Sequence, residues 1–277
     1  MSKLRKNFSK NICIMGVLNI TPDSFSDGGK YLNKSKAVER AACMVREGAG
    51  IIDVGGESTR PGAHDVDVKE EISRIVPVIK AIADKFSVPV SVDTRKSEVA
   101  EAALKAGASI INDVSGLKYD PKMARVAAKY GASVILMHMK GVPRNMQRSP
   151  YYKDLISEVI AGLRESVDIA KRAGITNNKI IVDPGIGFGK TVGHNLEILN
   201  RLSEFNKLGY PICVGVSRKS FIGKILGADK AADRLSGTIA ASVVAIVRGA
   251  SILRVHDIKE MADAAKITES ILNLGAV

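Results

Sequence analysis

The chain has 277 residues, 45% of them hydrophobic and 25% charged, the composition of a folded globular protein, with no apolar run long enough to cross a bilayer. Its net charge of +12 admits nucleic acid as a partner, but the lysines and arginines are spread along the chain and aromatics make up only 4%, with no Trp. A base-stacking surface is therefore not expected, and a positive protein suits anionic small molecules equally well.

The start, "MSKLRKNFSK", is basic without the apolar stretch and cleavage site of a secretory leader. The cytoplasm is the expected compartment, with no membrane partner. Residues 1–11 read as a basic extension and 12–277 as one domain. Strand-length apolar runs follow at 12–19, 50–56, 88–93, 108–114, 132–139, 179–185, 211–217 and 250–257. Each lacks polar alternation over most of its length, as a strand covered on both faces should. Helical patterns lie between them, from "SKAVERAACMVREG" to "AADRLSGTIAASVVAIVRG", and "IKEMADAAKITESILNL" closes the series. Six of these patterns end in Gly, a common helix stop. The phrases "EGAGIID", "AGASIIN", "YGASVIL" and "RGASILR" repeat one helix-to-strand junction. Eight βα units predict a single (β/α)8 TIM barrel, with an open doubly wound sheet as the structural alternative. The three cysteines, Cys13, Cys43 and Cys213, are far apart in apolar runs and read as small buried hydrophobes.

In such a barrel the active site lies at the C-terminal ends of the strands. Those ends carry Asn19, Asp93, Asn112 with Asp113, His138, Asp183, Ser217 to Lys219, and Arg254, His256 and Asp257, while "ESTRPGA" follows strand 2. A lone strand-end Asp is usually a turn-former or helix cap. A ring that also contains Lys219, Arg254 and His256 is not explained that way, because caps need no cations. Asp93, Asn112 and Asp183 offer acceptors and an amide, which suit a flat heterocycle such as a pterin or purine. Thr59, Arg60, Arg254 and His256 offer donors and positive charge, which suit phosphate.

"DPGIGFGK" (183–190) fits neither the P-loop nor the dinucleotide fingerprint. Its glycines read as a turn that lets a flat ligand approach, with Phe188 covering it or packed in a tight βα turn. Met137 could form a greasy pocket floor. His64, His138 and His194 show no metal-ligand spacing and read as ordinary polar or packing residues. The loop in "MGVLNITPDSFSDGG" is polar and rich in Gly and Pro, yet it carries Phe25 beside two aspartates.

Taken together, "MGVLNITPDSFSDGG", "DVGGESTRPGA", "SVDT", "INDVSG", "DPGIGFGK", "GVSRKSFIG" and "ILRVHD" resemble the dihydropteroate synthase family, over essentially the whole chain after the basic start. The resemblance implies a (β/α)8 barrel that joins p-aminobenzoate to 6-hydroxymethyl-7,8-dihydropterin diphosphate, releasing pyrophosphate. It implies that Asp93, Asn112, Asp183 and Lys219 hold the pterin and that Asn19, Thr59, Arg254 and His256 face the diphosphate. It also implies Mg2+ held by the diphosphate with Asn19, assisted by Asp27. p-Aminobenzoate would sit near Phe25, Thr59, Arg60, Pro61, Ser217 and Lys219, under a first loop that Gly28 and Gly29 let close. A homodimer is implied too, and "GTIAASVVAIVRGA" could pack a helix on a partner or on the barrel. Ser236 and Thr238 vary from the family's commoner Gly and Ser, and are expected to lie outside the pocket. Pterin-dependent methyltransferases resemble the family at the pterin pocket and are the alternative, as is a non-catalytic pterin-binding protein.

Overall fold

The computed structural model describes residues 11–21, 30–58, 65–142 and 145–273, with no side chains for 30–33. Phe25, Asp27, Gly28, Gly29, Thr59, Arg60, Pro61, His64 and the basic stretch 1–10 lie outside the described residues.

Strands and helices alternate: β1 (Cys13–Asn19), α1 (Lys30–Arg46), β2 (Ile51–Gly55), α2 (Val68–Lys85), β3 (Val90–Asp93), α3 (Ser97–Lys105), β4 (Ile110–Asp113), α4 (Met123–Lys129), β5 (Ser133–Met137), α5 (Leu155–Arg172), β6 (Ile180–Asp183), α6 (Val192–Asn200), β7 (Cys213–Val214), α7 (Ser220–Leu226), α8 (Leu235–Val247), β8 (Ile252–Val255) and α9 (Ile258–Leu272). All strand pairs are parallel, in the order β6-β5-β4-β3-β2-β1-β8-β7. A parallel bridge from Val182 to Ile212 joins the two ends of that order, where the Val182 amide donates to the Pro211 carbonyl at 3.0 Å. The sheet is thus a closed barrel and not the open doubly wound alternative.

Side-chain parity along the strands explains where a site can form. Met15, Ile51, Ile110, Ile135, Ile181, Cys213 and Ile252 point inward and meet in one apolar plug. Their neighbours in sequence, such as Ile14, Ile52, Ile111, Val134, Ile180 and Leu253, belong to the larger cluster under the helices. Each large plug side chain contributes roughly 1.5–3 kcal/mol by burial. Two residues further along a strand the chain faces the same way. That step takes Ile51 to Asp53, Ile110 to Asn112, Ile135 to Met137, Ile181 to Asp183 and Ile252 to Arg254. The barrel interior therefore changes from apolar to polar within one pleat.

Helix starts follow local chemistry: Asp67 accepts from the Lys69 amide, Asp154 from the Ser157 amide, and Thr191 forms a capping box with His194. Three sequence expectations change. Strand 7 was expected over 211–217, but its regular pairing stops at Val214. Beyond it the backbone leaves the strand conformation, and Arg218 adopts a left-handed φ of 58°. "HNLEILNRLSEFNKLG" was expected as one helix; it breaks at Arg201, whose ψ of 21° leaves the helical range, and resumes as a 3-10 segment. The short helix α7 was not anticipated. It spans seven residues, ended by left-handed Gly227, too few for an amphipathic period to stand out.

Just past β2, Glu57 receives Arg95 Nη2 at 3.3 Å and also Lys96 Nζ. Lys96 further donates to Glu71 Oε2 and the Val66 carbonyl, each at 2.7 Å, and Arg95 pairs with Asp65. Both flanks of the second loop, residue 57 before it and residues 65–66 after it, are thereby tied to the end of β3.

Candidate active site

One side of the barrel mouth is built on β2, β3, β4 and β8. Arg254 donates through Nε to Asp53 Oδ2 at 2.7 Å and through Nη2 to Asp93 Oδ2 at 2.6 Å. Asn112 Nδ2 donates to the same Asp53 oxygen at 3.1 Å. The other oxygens of both aspartates, Asp53 Oδ1 and Asp93 Oδ1, are buried and have no hydrogen-bond partner among the described residues. Burial pushes the Asp93 carboxyl up to about 7, against the opposing pull of Arg254 and with help from the Asp53 charge. Asn19 closes this side at the end of β1. A methyl built on Gly55 would stand 3.6 Å from Asn19 Oδ1 and 3.8 Å from Asp93 Oδ2, so the two oxygens flank a bare stretch of backbone.

The opposite side is built on β5, β6, β7 and the glycine-rich loop. Asp183 Oδ1 accepts from the Gly185 amide at 2.7 Å. Its carboxyl is raised by burial, a shift opposed by the Gly185 hydrogen bond and by Lys219 and Lys190. Lys219 donates to the Ile186 carbonyl and lies 4.4 Å from the Phe188 ring centroid, a cation–π contact. Burial lowers Lys219 to about 8, opposed by Asp183. Lys190 is only 3% exposed. Its ammonium reaches His138 Nδ1 at 3.1 Å, the His138 carbonyl at 3.3 Å and the Phe188 carbonyl at 3.0 Å. Burial lowers it to about 7, and the same burial, with the Lys190 charge, drives His138 down to about 2, so that imidazole is neutral.

The glycines of this loop have a reason other than ligand approach. Gly185, Gly187 and Gly189 all have left-handed φ. A side chain on Gly185 would meet the His138 carbonyl at 1.9 Å and one on Gly189 the Lys140 carbonyl at 2.3 Å; one on Gly187 would strike Lys219. They let the loop lie flat on the end of β5 and leave room for Lys219.

Ser217 Oγ and His256 Nδ1 are 2.9 Å apart at the rim, and the His256 amide donates to the same hydroxyl at 3.2 Å. Arg218 is turned away from the mouth into an ion pair with Asp257. Its amide is held by Thr238 Oγ1 at 3.0 Å. Thr238, expected to have no bearing on the pocket, thus pins the left-handed turn that places Ser217 and Lys219.

Asn19, Asp93, Asn112, Met137, Asp183, Phe188, Ser217, Lys219, Arg254 and His256 all gather at one end of the barrel, while Asp113 turns outward and caps Ser115 and Leu117. Sequence reading missed Asp53, Lys190 and Thr238. His194 serves its helix cap. Of the cysteines, Cys213 is buried in the plug, but Cys43 is half-buried and donates to Glu47 Oε1 at 3.0 Å, so it is not a plain core hydrophobe.

Fold and site define a (β/α)8 barrel whose mouth sets buried carboxylates and an amide against lysines, arginine and histidine. The family model described as pterin binding enzyme matches residues 15–256. The dihydropteroate synthase of Bacillus subtilis (strain 168) is 49% identical over 98% of this chain and 92% of its own. A crystal structure of dihydropteroate synthase from Clostridium difficile in the presence of pteroic acid superposes with a TM-score of 0.90 at 47% identity, covering 95% of this chain and 97% of that one. The Yersinia pestis dihydropteroate synthase with a sulfonamide drug complex gives 0.90 at 45% identity over 95% of each chain. The chain belongs to the dihydropteroate synthase family of pterin-binding enzymes. The methyltransferase alternative falls with that result.

Proposed function

We propose that the barrel mouth condenses 6-hydroxymethyl-7,8-dihydropterin diphosphate with p-aminobenzoate to give 7,8-dihydropteroate and pyrophosphate, with the two sides of the mouth dividing the work. The observation that carries the division is the opposed pair of charge clusters, Asp53–Arg254–Asp93 and Lys190–Asp183–Lys219. Asp93, Asn112 and Asp183 accept the N–H donors of the pterin, and Lys219 serves its carbonyl and ring-nitrogen acceptors. Met137 and Phe188 supply apolar surface against the ring. His256 and Thr59 face the diphosphate together with Arg254, of which Nε and Nη2 are already engaged.

The C–O bond between the pterin methylene and the diphosphate breaks as the aniline nitrogen forms a C–N bond to the same carbon. Pyrophosphate leaves with the bonding pair, and the aniline nitrogen loses one proton. Positive charge developing on the methylene and ring is stabilised by Asp93 and Asp183, and the departing anion by Arg254 and His256. Ser217, Lys219, Thr59, Arg60, Pro61 and Phe25 position p-aminobenzoate and exclude water. Mg2+ fits the donor set, since this ion takes hard oxygens and keeps phosphate and water ligands. Asn19 Oδ1 is such a donor, and Asp27 would be the second. When bound, the ion supplies positive charge against the leaving diphosphate.

No helix among the described residues is long and apolar enough to cross a membrane; the cytoplasm is the proposed compartment, and 12–277 one proposed domain. A homodimer is supported by apolar side chains left exposed on neighbouring helices, Val244 and Val247 of α8 and Ile267 and Ile271 of α9. Equilibrium sedimentation giving a monomer at micromolar concentration would remove the dimer.

The test of the reaction is pyrophosphate release that requires both substrates. Release with the pterin diphosphate alone would point to hydrolysis instead. A sulfonamide, presenting the same aniline, should inhibit competitively against p-aminobenzoate. Equilibrium binding should be ordered, with p-aminobenzoate weak alone and much tighter with Mg2+, pyrophosphate and a pterin present.

A further inference from the structure

Asp53 is given no contact with substrate above, yet it belongs to the buried charge cluster at the mouth. Asp53 and Asn112 each stand two residues beyond a plug residue, Ile51 and Ile110, so they lie side by side in one inward-facing layer. Asp53 is fully buried. Its Oδ2 accepts Asn112 Nδ2 at 3.1 Å and Arg254 Nε at 2.7 Å.

The two ends of an amide side chain have the same shape, so packing alone does not choose between them. An ionised carboxylate chooses, because it only accepts hydrogen bonds. With Asp53 beside it, Asn112 must turn its NH2 toward that carboxylate and its carbonyl oxygen away from it. The same oxygen fixes Arg254 by its Nε edge, which leaves Nη2 to reach Asp93.

We propose that Asp53 is a specificity-determining positioning residue: it fixes the Asn112 amide so that the pocket presents an acceptor, beside Asp93 and Asp183, to a heterocycle edge rich in N–H donors. This rests on the pterin reading of the mouth. Without Asp53 the amide can take either orientation, and the pocket loses its preference for a donor on the ligand. The converse follows for the ligand: a ring carrying a carbonyl where a pterin carries its amino group gains what the pterin loses.

The experiment measures binding of 6-hydroxymethylpterin and of the corresponding lumazine, which has an oxo group in place of the 2-amino group, by calorimetry. Wild-type binding of the pterin checks the pocket reading independently. In Asp53→Asn the pterin-over-lumazine preference should fall at least tenfold. In the exchanged pair Asp53→Asn with Asn112→Asp, the amide at 53 donates to the carboxylate at 112, an acceptor is again presented to the ligand, and the preference should return to within about threefold of wild type. Equal weakening of both ligands in Asp53→Asn, with the ratio unchanged, overturns the proposal, since a merely structural carboxylate would act that way. Where thermal melts show that Asp53→Asn does not fold, the exchanged pair decides alone: a retained preference supports the role and a lost one overturns it.

Discussion

The two sides of the barrel mouth carry opposite surpluses of charge. On the β2–β3–β8 side, Asp53 and Asp93 share one guanidinium, Arg254. On the β6–β7 side, Lys190 and Lys219 share one carboxylate, Asp183, which draws both lysines upward against burial. Burial works against every charge here: it raises Asp93 to about 7 on the first side, and on the second it lowers Lys190 to about 7 and Lys219 to about 8 while also raising Asp183. Each side is one charge from balance. A ligand that brings N–H donors and developing positive charge to the first, and oxygens to the second, supplies what each lacks. The asymmetry is also one of geometry. The acidic side is side chain to side chain across the barrel interior, whereas the basic side leans on backbone carbonyls, those of His138, Ile186 and Phe188.

That difference makes the acidic side the more fragile. Arg254→Leu leaves two buried carboxylates without a cation and should cost about 3–5 kcal/mol of stability. Urea unfolding would read it; a loss below 1 kcal/mol would mean that the two carboxylates do not depend on this guanidinium. Asp183→Asn should take about 2–4 kcal/mol from pterin-analogue binding, since the amide puts an NH2 donor where the carboxylate has a second accepting oxygen. Unchanged affinity in calorimetry would sink that role. Lys190→Met should cost less stability than Arg254→Leu, about 1–3 kcal/mol, because it strands carbonyls and no opposite charge. If the two variants lose equally, the comparison between the sides fails.

How much of this was legible in the sequence differs between the two sides for physical reasons. The barrel was readable because eight buried parallel strands must each be a continuous apolar run, and the mouth because polar residues close those runs. Asp53 was passed over inside "GIIDVGG", where it looked like part of a strand; its parity with Gly55 and its charge amid apolar neighbours were the signals available. Lys190 gave none, because its partner His138 lies 52 residues away in sequence. The glycines of "DPGIGFGK" pointed to a close approach, but the approaching groups are the chain's own carbonyls. Arg254 was legible as a cation, not as one whose Nε and Nη2 are already committed to Asp53 and Asp93.

The smallest effect separates the two sides by pH. The Asp93 carboxyl is raised from an ordinary 3.8 to about 7 in the folded protein. Between those values the folded state keeps a proton that the unfolded state has released, so this contribution to stability is complete below about 4 and is lost as pH rises to 7. Lys190 runs the other way, from an ordinary 10.5 down to about 7. Between those values the unfolded state holds a proton that the folded state has released, so its contribution is absent below 7 and grows toward 10.5. The two sides together place a minimum near neutrality, each titrating group adding at most about 1.4 kcal/mol per pH unit to its limb. Asp93→Asn should reduce the acid limb alone, leaving the share of Asp183, whose carboxyl burial also raises. Lys190→Met should reduce the alkaline limb alone, leaving the share of Lys219, which begins to release its proton near 8. Urea unfolding at pH 5, 7 and 9, taken as variant minus wild type, isolates each limb from every other titrating group. A difference curve for Asp93→Asn that stays level from pH 5 to 7 would mean that Arg254 holds this carboxylate ionised throughout. The acidic side would then present a settled ion pair to the ligand, and only the basic side would carry a surplus that burial has pushed to the edge of titration.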